Sequence, residues 1–577
     1  MPQAHRIPPR AALIFALLPL ALPGCSGRPK LEPASLVLHK GRIVTVEAAK
    51  PEVQALAARG DSIVALGTNE EIAAYVGPQT RVVDLGGRLA VPGLIEGHGH
   101  FTGVGRSKII LNLMAVANWD EVVAMVKDAA GKAKPGDWIL GRGWHQSKWD
   151  KTPTPAVEGF PVHASLSAVS PDNPVLLTHA SGHAAFANAK AMAAAGVTRT
   201  TKSPAGGEIL KDAKGEPIGL FRETAADLVE NAYAKALSGR TPEEAEAAER
   251  RVLQLADEEV VSKGITSFQD AGSSFESIDV MKKVAAEGKL GVRLWVMIRD
   301  SNERMKDRLA SYRLVDGYDK HLTVRAIKHS LDGALGSRGA WLLEPYSDLA
   351  SSTGLMTTPL PVVEEAARLA IANGYQLCVH AIGDRANRET LNLFEAAFKT
   401  SPDAKNLRWR IEHAQHLHPT DIPRFGKLGV IAAMQGIHCT SDAVFVPARL
   451  GAKRSEEGAY VWQKLMKSGA VVSNGTDAPV EDVDPIASFY ATVTRRLADG
   501  STFYPDQRMS REEALKSYTW NAAYAAFEEG SKGSLETGKL ADVTVLSKDI
   551  LAVPEEEIRS ARVDLTIVGG KVLYERK

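Results

Sequence analysis

The stretch VPGLIEGHGH, Val91 to His100, ends an apolar run with two histidines one residue apart. Side chains alternate faces along a β-strand, so His98 and His100 project the same way, and Gly99 leaves room between them. That is a chelating arrangement, although an isolated His-x-His can equally be two polar residues closing a strand. The rest of the chain decides between the two.

Seven further runs have the same strand character: GITSFQDAG (264–272), VRLWVMIRD (292–300), VRAIKHSLDG (324–333), YQLCVHAIGD (375–384), RWRIEHAQ (408–415), VIAAMQG (430–436) and AVVSNGTDAPV (470–480). Amphipathic stretches such as 242–264 and 362–374 precede several of them and close on glycine, as helices often do. Apolar strands alternating with helices argue for parallel βαβ units, and eight of them predict a (β/α)₈ barrel, an α/β fold. Such barrels carry their chemistry at the C-terminal ends of the strands. His98, His100, Lys328, His380, His413 and Asp477 occupy or approach those ends.

Two regions fall outside the repeat. SLVLHKGRIVTV, ALAARGDSIVALG and RVVDLGGRL near the start, and GSLETGKLADVTVLSKD and VDLTIVGGKVLYER at the end, are short, Gly-punctuated, β-branched runs. They predict one small β-sandwich built from both chain ends, residues 35–88 and 531–577, bracketing a barrel over 89–530. Between the first and second barrel strands lies far more chain than a βα connection needs, so an insertion over about 105–260 is expected to overhang the barrel mouth as a substrate lid.

At 577 residues the chain exceeds what a single hydrophobic core usually organises. Lys plus Arg and Asp plus Glu each number 69, so no global field favours nucleic acid as a partner. His5, Arg6 and Arg10 precede AALIFALLPLALPGC, which is too short and too interrupted by proline to span a bilayer. Residues 1–25 therefore read as a signal peptide, and Leu22-Pro23-Gly24-Cys25 is similar to a bacterial lipobox. The expectation is an exported lipoprotein, anchored in a membrane through lipid on Cys25. Only Cys378 and Cys439 remain beyond it, so no disulfide framework is expected.

Any one of the strand-end histidines reads most simply as hydrogen-bonded structure. Four of them with a lysine and an aspartate, spread over five strand ends, suggest a metal site assembled from several strands. Lys328 is the oddest member, because a buried ammonium is costly and its plainest role is an ion pair with a carboxylate. The chain has no G-x-S-x-G elbow, no Walker loop and no cysteine arrangement suited to nucleophilic catalysis.

PGLIEGHGH, a strand lysine followed by DGALGSR, HAIGDRA, RIEHAQ and GTDAPVEDVDP together resemble the motifs of the metal-dependent amidohydrolase superfamily. The resemblance is to its amidohydrolase-3 branch, which includes N-substituted formamide deformylases, and it runs from Leu36 to the C-terminus. It implies a distorted (β/α)₈ barrel with a small β-sandwich. It further implies that His98 and His100 hold one divalent metal ion, Zn²⁺ in type, and that His380 and His413 hold a second where two are present. Lys328, carboxylated by carbon dioxide to a carbamate, would bridge them. Asp477 would bind the first metal and exchange a proton with the hydrolytic water. Glu96 stands where the family commonly has Asp, and GSRGA replaces the more usual GSRTA; neither change touches a ligand.

The implied activity is hydrolysis of a C–N bond in an amide, N-acyl or cyclic imide small molecule by metal-bound hydroxide. Ester, lactone or phosphotriester hydrolysis on the same site is the alternative, and a non-catalytic exported binding lipoprotein is an alternative of another class. Trp144, His183 and Arg338 are weaker candidates for substrate contact. Trp144 also reads as lid packing, and Arg338 as an anchor to Asp332. Neither the substrate nor the oligomeric state is legible from the residues.

Overall fold

The structure, a computed structural model, describes residues 31–577, so the expected signal peptide and Cys25 lie outside the described residues. All eight expected strands form. They are β1 (Leu94–Gly99), β2 (Ile265–Ser273), β3 (Arg293–Ile298), β4 (Leu322–Ser330), β5 (Gln376–Ala381), β6 (Arg410–His413), β7 (Ile431–Gln435) and β8 (Val472–Gly475). They follow one another in chain order as one parallel sheet, with a short antiparallel strand, Leu314–Asp316, beside β4. The register sets Ser330 opposite His380 and His380 opposite Glu412, bringing the polar strand ends to one level.

The sheet curls until its edges meet. Asp477 N–H donates to the His98 carbonyl at 2.8 Å, and His100 N–H to the Ala478 carbonyl at 2.7 Å. Two glycines allow the approach: a Cβ on Gly97 would lie 2.4 Å from the Asn474 carbonyl oxygen, and one on Gly475 would lie 2.3 Å from a Glu96 carboxylate oxygen. The result is a nearly closed (β/α)₈ barrel.

The helices form where the periodicity places them. Pro242–Ser262 starts at Thr241 with a capping box to Glu244 and buries Leu253, Ala256, Val260 and Val261 against the barrel. Leu360–Asn373 stops at Gly374, which takes the left-handed conformation of a helix C-terminus, φ 68°.

Both chain ends meet in a pair of small sheets. One contains Ser62–Gly67, Ala55–Arg59, Leu36–His39 and Arg81–Asp84; the other has six strands, running Lys571–Glu575, Val563–Val568, Val543–Leu546, Leu89–Pro92, Arg42–Val44 and Glu52–Val53. Leu36, Leu38, Ile43, Leu56, Val543, Val545 and Ile567 form their common core. Within the second sheet Leu89–Pro92 pairs parallel to Arg42–Val44 and antiparallel to Val543–Leu546. The buried pair Arg293–Asp542, 2.8 Å apart, joins this sheet to β3.

The expected insertion has a sheet of its own, with strands in the order Gly207–Lys211, Pro217–Glu223, Ala184–Ala187, Val175–His179, Ile139–Trp144 and Leu111–Asn112. Its elements end with the helix Asp227–Leu237, because Pro242–Ser262 already belongs to the barrel core. Residues Arg142, Thr178, His183 and Glu223 share one cavity wall with the barrel ends, so this sheet covers the mouth as a lid.

Candidate metal centre

The six residues singled out in the sequence converge on one cavity. It measures about 620 Å³ and is lined by His100, Lys328, His380, His413 and Asp477, with His98 directly beneath them. Asp477 Oδ1 lies 3.2 Å from His100 Nε2 and 3.5 Å from His98 Nε2. The His98 and His413 rings are 4.7 Å apart, and those of His413 and His380 4.5 Å. His413 (φ 73°) and Asp477 (φ 57°) both adopt left-handed backbone, rare for non-glycine residues, which turns their side chains off the strand alternation and into the cavity.

The donors are held from behind. His98 Nδ1 meets the Glu412 carboxylate, and Glu412 is in turn paired with Arg410 at 2.7 Å; Glu412 and Arg410 are fully buried. His413 Nδ1 meets Gln435 Oε1 at 2.8 Å. In each case the partner fixes the ring and aims Nε2 inward, as outer partners of metal-binding histidines do. Glu96 accepts from Thr476 N–H at 2.7 Å and Thr476 Oγ1 at 2.9 Å, tying β1 to the turn that presents Asp477.

Several of the inward atoms face protein groups without a well-formed hydrogen bond, His380 Nε2 lying 3.4 Å from Asp332 Oδ1. Among the described residues, His98 Nε2, His380 Nε2, His438 Nε2 and Asp477 Oδ1 are buried without a hydrogen bond. Burial pushes His380 and His413 well below the ordinary imidazole value, so both are neutral lone-pair donors. Burial works to raise Asp477, but the facing imidazoles of His100 and His98 outweigh it and hold the carboxylate well below its usual range. Buried, unpaired polar atoms are costly. Imidazoles pushed towards neutrality by burial, as at His100, His380 and His413, and an anionic carboxylate fit a divalent cation, whereas at His98 burial is outweighed by Glu412 and Asp477, which raise it. Two three-donor sets lie within 4.8 Å: His98, His100, Asp477 and His413, His438, Asp477.

Lys328 is 3% exposed, and burial pushes its amine from 10.5 down to about 8. Among the described residues no carboxylate lies within ion-pair reach of its Nζ, so the expected plain role, a salt bridge, is not what the structure holds. A bare ammonium does not suit a cation site, whereas its anionic carbamate does.

The weaker candidates separate. His183 lines the cavity, its ring 4.8 Å from that of His380 and its Nδ1 2.8 Å from Glu223 Oε2. Burial opposes charge on this imidazole, but Glu223 holds it above its ordinary value. Trp144 does not reach the cavity: it is fully buried, donates Nε1–H to the Leu177 carbonyl at 3.0 Å, and packs against Trp149, His179 and Phe186. Its substrate role gives way to lid packing. Arg338 pairs with Asp348 at 3.0 Å rather than with Asp332, and it too stays out of the cavity wall. Asp332 is occupied by the backbone N–H groups of Ile382, Gly383 and Trp341, at 2.8 to 3.0 Å.

Glu412, Gln435, His438, Glu223 and Arg142 were not singled out in the sequence. Period-two alternation puts Arg410 and Glu412 on one face of RIEH, a signal that was there to use. His438 follows β7 by three residues, beyond any strand pattern.

The chain is similar to known proteins over most of its length. A family model described as "Amidohydrolase family" matches residues 81–574. Protein LONG AFTER FAR-RED 3 of Arabidopsis thaliana is 33% identical over 554 residues, covering 94% of this chain and 92% of that protein. The N-substituted formamide deformylase of Arthrobacter pascens is 27% identical over 552 residues, covering 94% and 98%. The crystal structure of an uncharacterized metal-dependent hydrolase from Pyrococcus horikoshii OT3 superposes with a TM-score of 0.71 at 25% identity, covering 90% of this chain and 99% of that one.

Proposed function

The chain belongs to the amidohydrolase family and is a metal-dependent hydrolase; from that premise we propose that it cleaves a carbon–nitrogen bond, other than a peptide bond, in an amide, N-acyl or cyclic imide small molecule. The observation that carries this reading is the convergence of buried, unpartnered imidazole nitrogens and a carboxylate oxygen on one side of a lidded cavity. The name of the deformylase relative, which specifies a C–N substrate, supports it.

In this reading His98, His100 and Asp477 would hold one metal ion of the Zn²⁺ type, and His380 and His413 would hold a second, with His438 also within reach of His413. Lys328 would supply the anionic ligand between them as its carbamate: the neutral amine attacks carbon dioxide, an N–C bond forms as one C=O π bond opens onto oxygen, and an N–H proton leaves to solvent. The lowered amine value favours that step, because it enlarges the neutral fraction near pH 7. When bound, the metal supplies an acidified water and polarises the substrate carbonyl.

The chain's own residues do the rest. Asp477, kept anionic and centred between two imidazoles, takes a proton from the attacking water at its carboxylate and returns it to the leaving nitrogen. Glu412 keeps His98 in the tautomer with Nε2 free.

The test is metal analysis of the purified protein, then turnover of a panel of amides, N-acyl amines, cyclic imides and esters, with and without chelator. Chelator-sensitive hydrolysis of the C–N compounds is the expected result. Turnover of esters alone would move the assignment to the esterase alternative, and a metal-loaded protein inert to the whole panel would reject hydrolysis of this class.

A further inference from the structure

Arg142 stands in the lid strand Ile139–Trp144, where the lid meets the barrel mouth. Its Nε donates to the Pro479 carbonyl at 3.3 Å and its Nη2 to the Ala180 carbonyl at 3.2 Å. Pro479 lies two residues past Asp477 and Ala180 three before His183, so the guanidinium is fastened to both walls of the cavity. It lines that cavity together with His100, Lys328 and Asp477, and also the adjoining groove of about 360 Å³.

What it lacks is a counter-ion in contact. Asp477 and then Glu230 act on it only through space, and burial pushes it down to about 10. Asp477 is the carboxylate whose charge a bound metal would take up. Two other arginines line the cavity. Arg106 pairs with Glu249 at 3.1 Å. Arg299, which like Arg142 has no ion pair in contact among the described residues, is acted on through space by Asp227, Glu230 and Asp270 and is not fastened to backbone carbonyls. Lid and rim arginines elsewhere are neutralised by direct contact: Arg222 reaches Glu158 at 2.7 Å and also Glu208, and Arg338 reaches Asp348. Arg142 is therefore oriented by neutral carbonyls, while its Nη1 makes no hydrogen bond among the described residues.

We propose that Arg142 receives a carboxylate carried by the substrate on the part remote from the scissile bond, so that the substrates of this enzyme are acids of the N-acyl amino acid type rather than neutral amides. A guanidinium is a planar fork that matches a carboxylate, and a charge-assisted contact inside a partly closed cavity both binds and orients the substrate. This inference rests on the hydrolase reading above for the position of the scissile bond, and on the lid geometry for the position of the charge.

The experiment compares matched probes that differ only in charge, N-acetyl and N-formyl amino acids against the corresponding carboxamides, on metal-loaded wild type and on Arg142→Gln and Arg142→Lys. Two quantities are read: kcat/KM, and calorimetric binding under conditions without turnover. Wild type is expected to favour the acid by about ten- to a hundred-fold in both. The preference should collapse towards one in Arg142→Gln and survive in part in Arg142→Lys, with metal content alongside as the check on folding. Equal handling of acid and carboxamide by wild type overturns the proposal, as does a preference undiminished in a metal-loaded Arg142→Gln. If neither probe is hydrolysed but the acid binds with an Arg142-dependent preference, the carbon–nitrogen reading falls and the carboxylate site stands.

Discussion

Replacing Lys328 by methionine separates what this residue costs from what it does. Its amine is buried and unpaired, and its value falls from 10.5 to about 8. At about 1.4 kcal/mol per pH unit, that difference corresponds to roughly 3 kcal/mol. The direction follows from proton counting. Below pH 8 the amine is charged in both folded and unfolded chains, and the metal-free fold bears the whole burial cost. Between pH 8 and 10.5 the folded chain has given up a proton that the unfolded chain keeps, so stability rises with pH, and above 10.5 the cost is gone. In metal-stripped, bicarbonate-free protein, Lys328→Met is therefore expected to unfold later than wild type at pH 7, by about 3 kcal/mol, and to lose the rise between pH 8 and 10.5. The same variant should hold neither metal nor activity, since close cations ligated by neutral imidazoles lose the anion that offsets their repulsion. Denaturation profiles from pH 6.5 to 10.5, with metal analysis on each sample, check both halves. A variant that is less stable at every pH and still binds wild-type metal would refute the reasoning and return Lys328 to an ordinary structural cation.

Lys328→Ala with added propionate should partly recover metal and turnover, because a short carboxylate can enter the vacated space; no recovery by metal analysis and assay counts against a bridging anion. Glu412→Gln should weaken metal affinity about 10- to 100-fold in a chelator competition, and cost about 3–5 kcal/mol of stability by leaving buried Arg410 without its partner. Adding Arg410→Met should recover the stability but not the affinity, and wild-type affinity in either variant would contradict the orienting role given to Glu412. Trp144→Ala should destabilise the lid by about 3–5 kcal/mol and lower turnover while sparing metal, since none of the six ligand candidates lies in the lid; limited proteolysis and metal analysis check it, and loss of metal from folded protein would mean a misplaced ligand. We also propose that Cys25 is the lipidated first residue of the exported chain: mass spectrometry of the mature N-terminus should find acyl groups there, and an unmodified terminus further downstream would exclude the anchor.

Eight strand runs and the residues at their ends were legible because a barrel strand is a local object, a few apolar residues followed by a polar one. The outer partners were less so. Alternation along RIEH would send Glu412 and His413 to opposite sides, and it is the left-handed backbone at His413 that lets one side chain support His98 and the next reach the same site. No local pattern announces such a turn at a non-glycine residue. Arg338 and Asp332 are close in sequence, yet each found a better partner across space, Asp348 in one case and three backbone amides in the other. Trp144 had the composition of a binding residue and the surroundings of a core one, and only the lid sheet distinguishes them.

The strand Leu89–Pro92 leads directly into the barrel yet is hydrogen-bonded to Val543–Leu546, near the far end of the chain. Synthesis delivers the N-terminal part first. Until the last few dozen residues emerge, this strand presents a bare, apolar edge, and the floor of the barrel beneath His98 has nothing to rest on. The molecule is thus assembled like a belt whose buckle is made last. A chain cut short before Val543 would keep every proposed ligand and still lack the clasp that holds them at one height, with an open strand ready to pair with a neighbour.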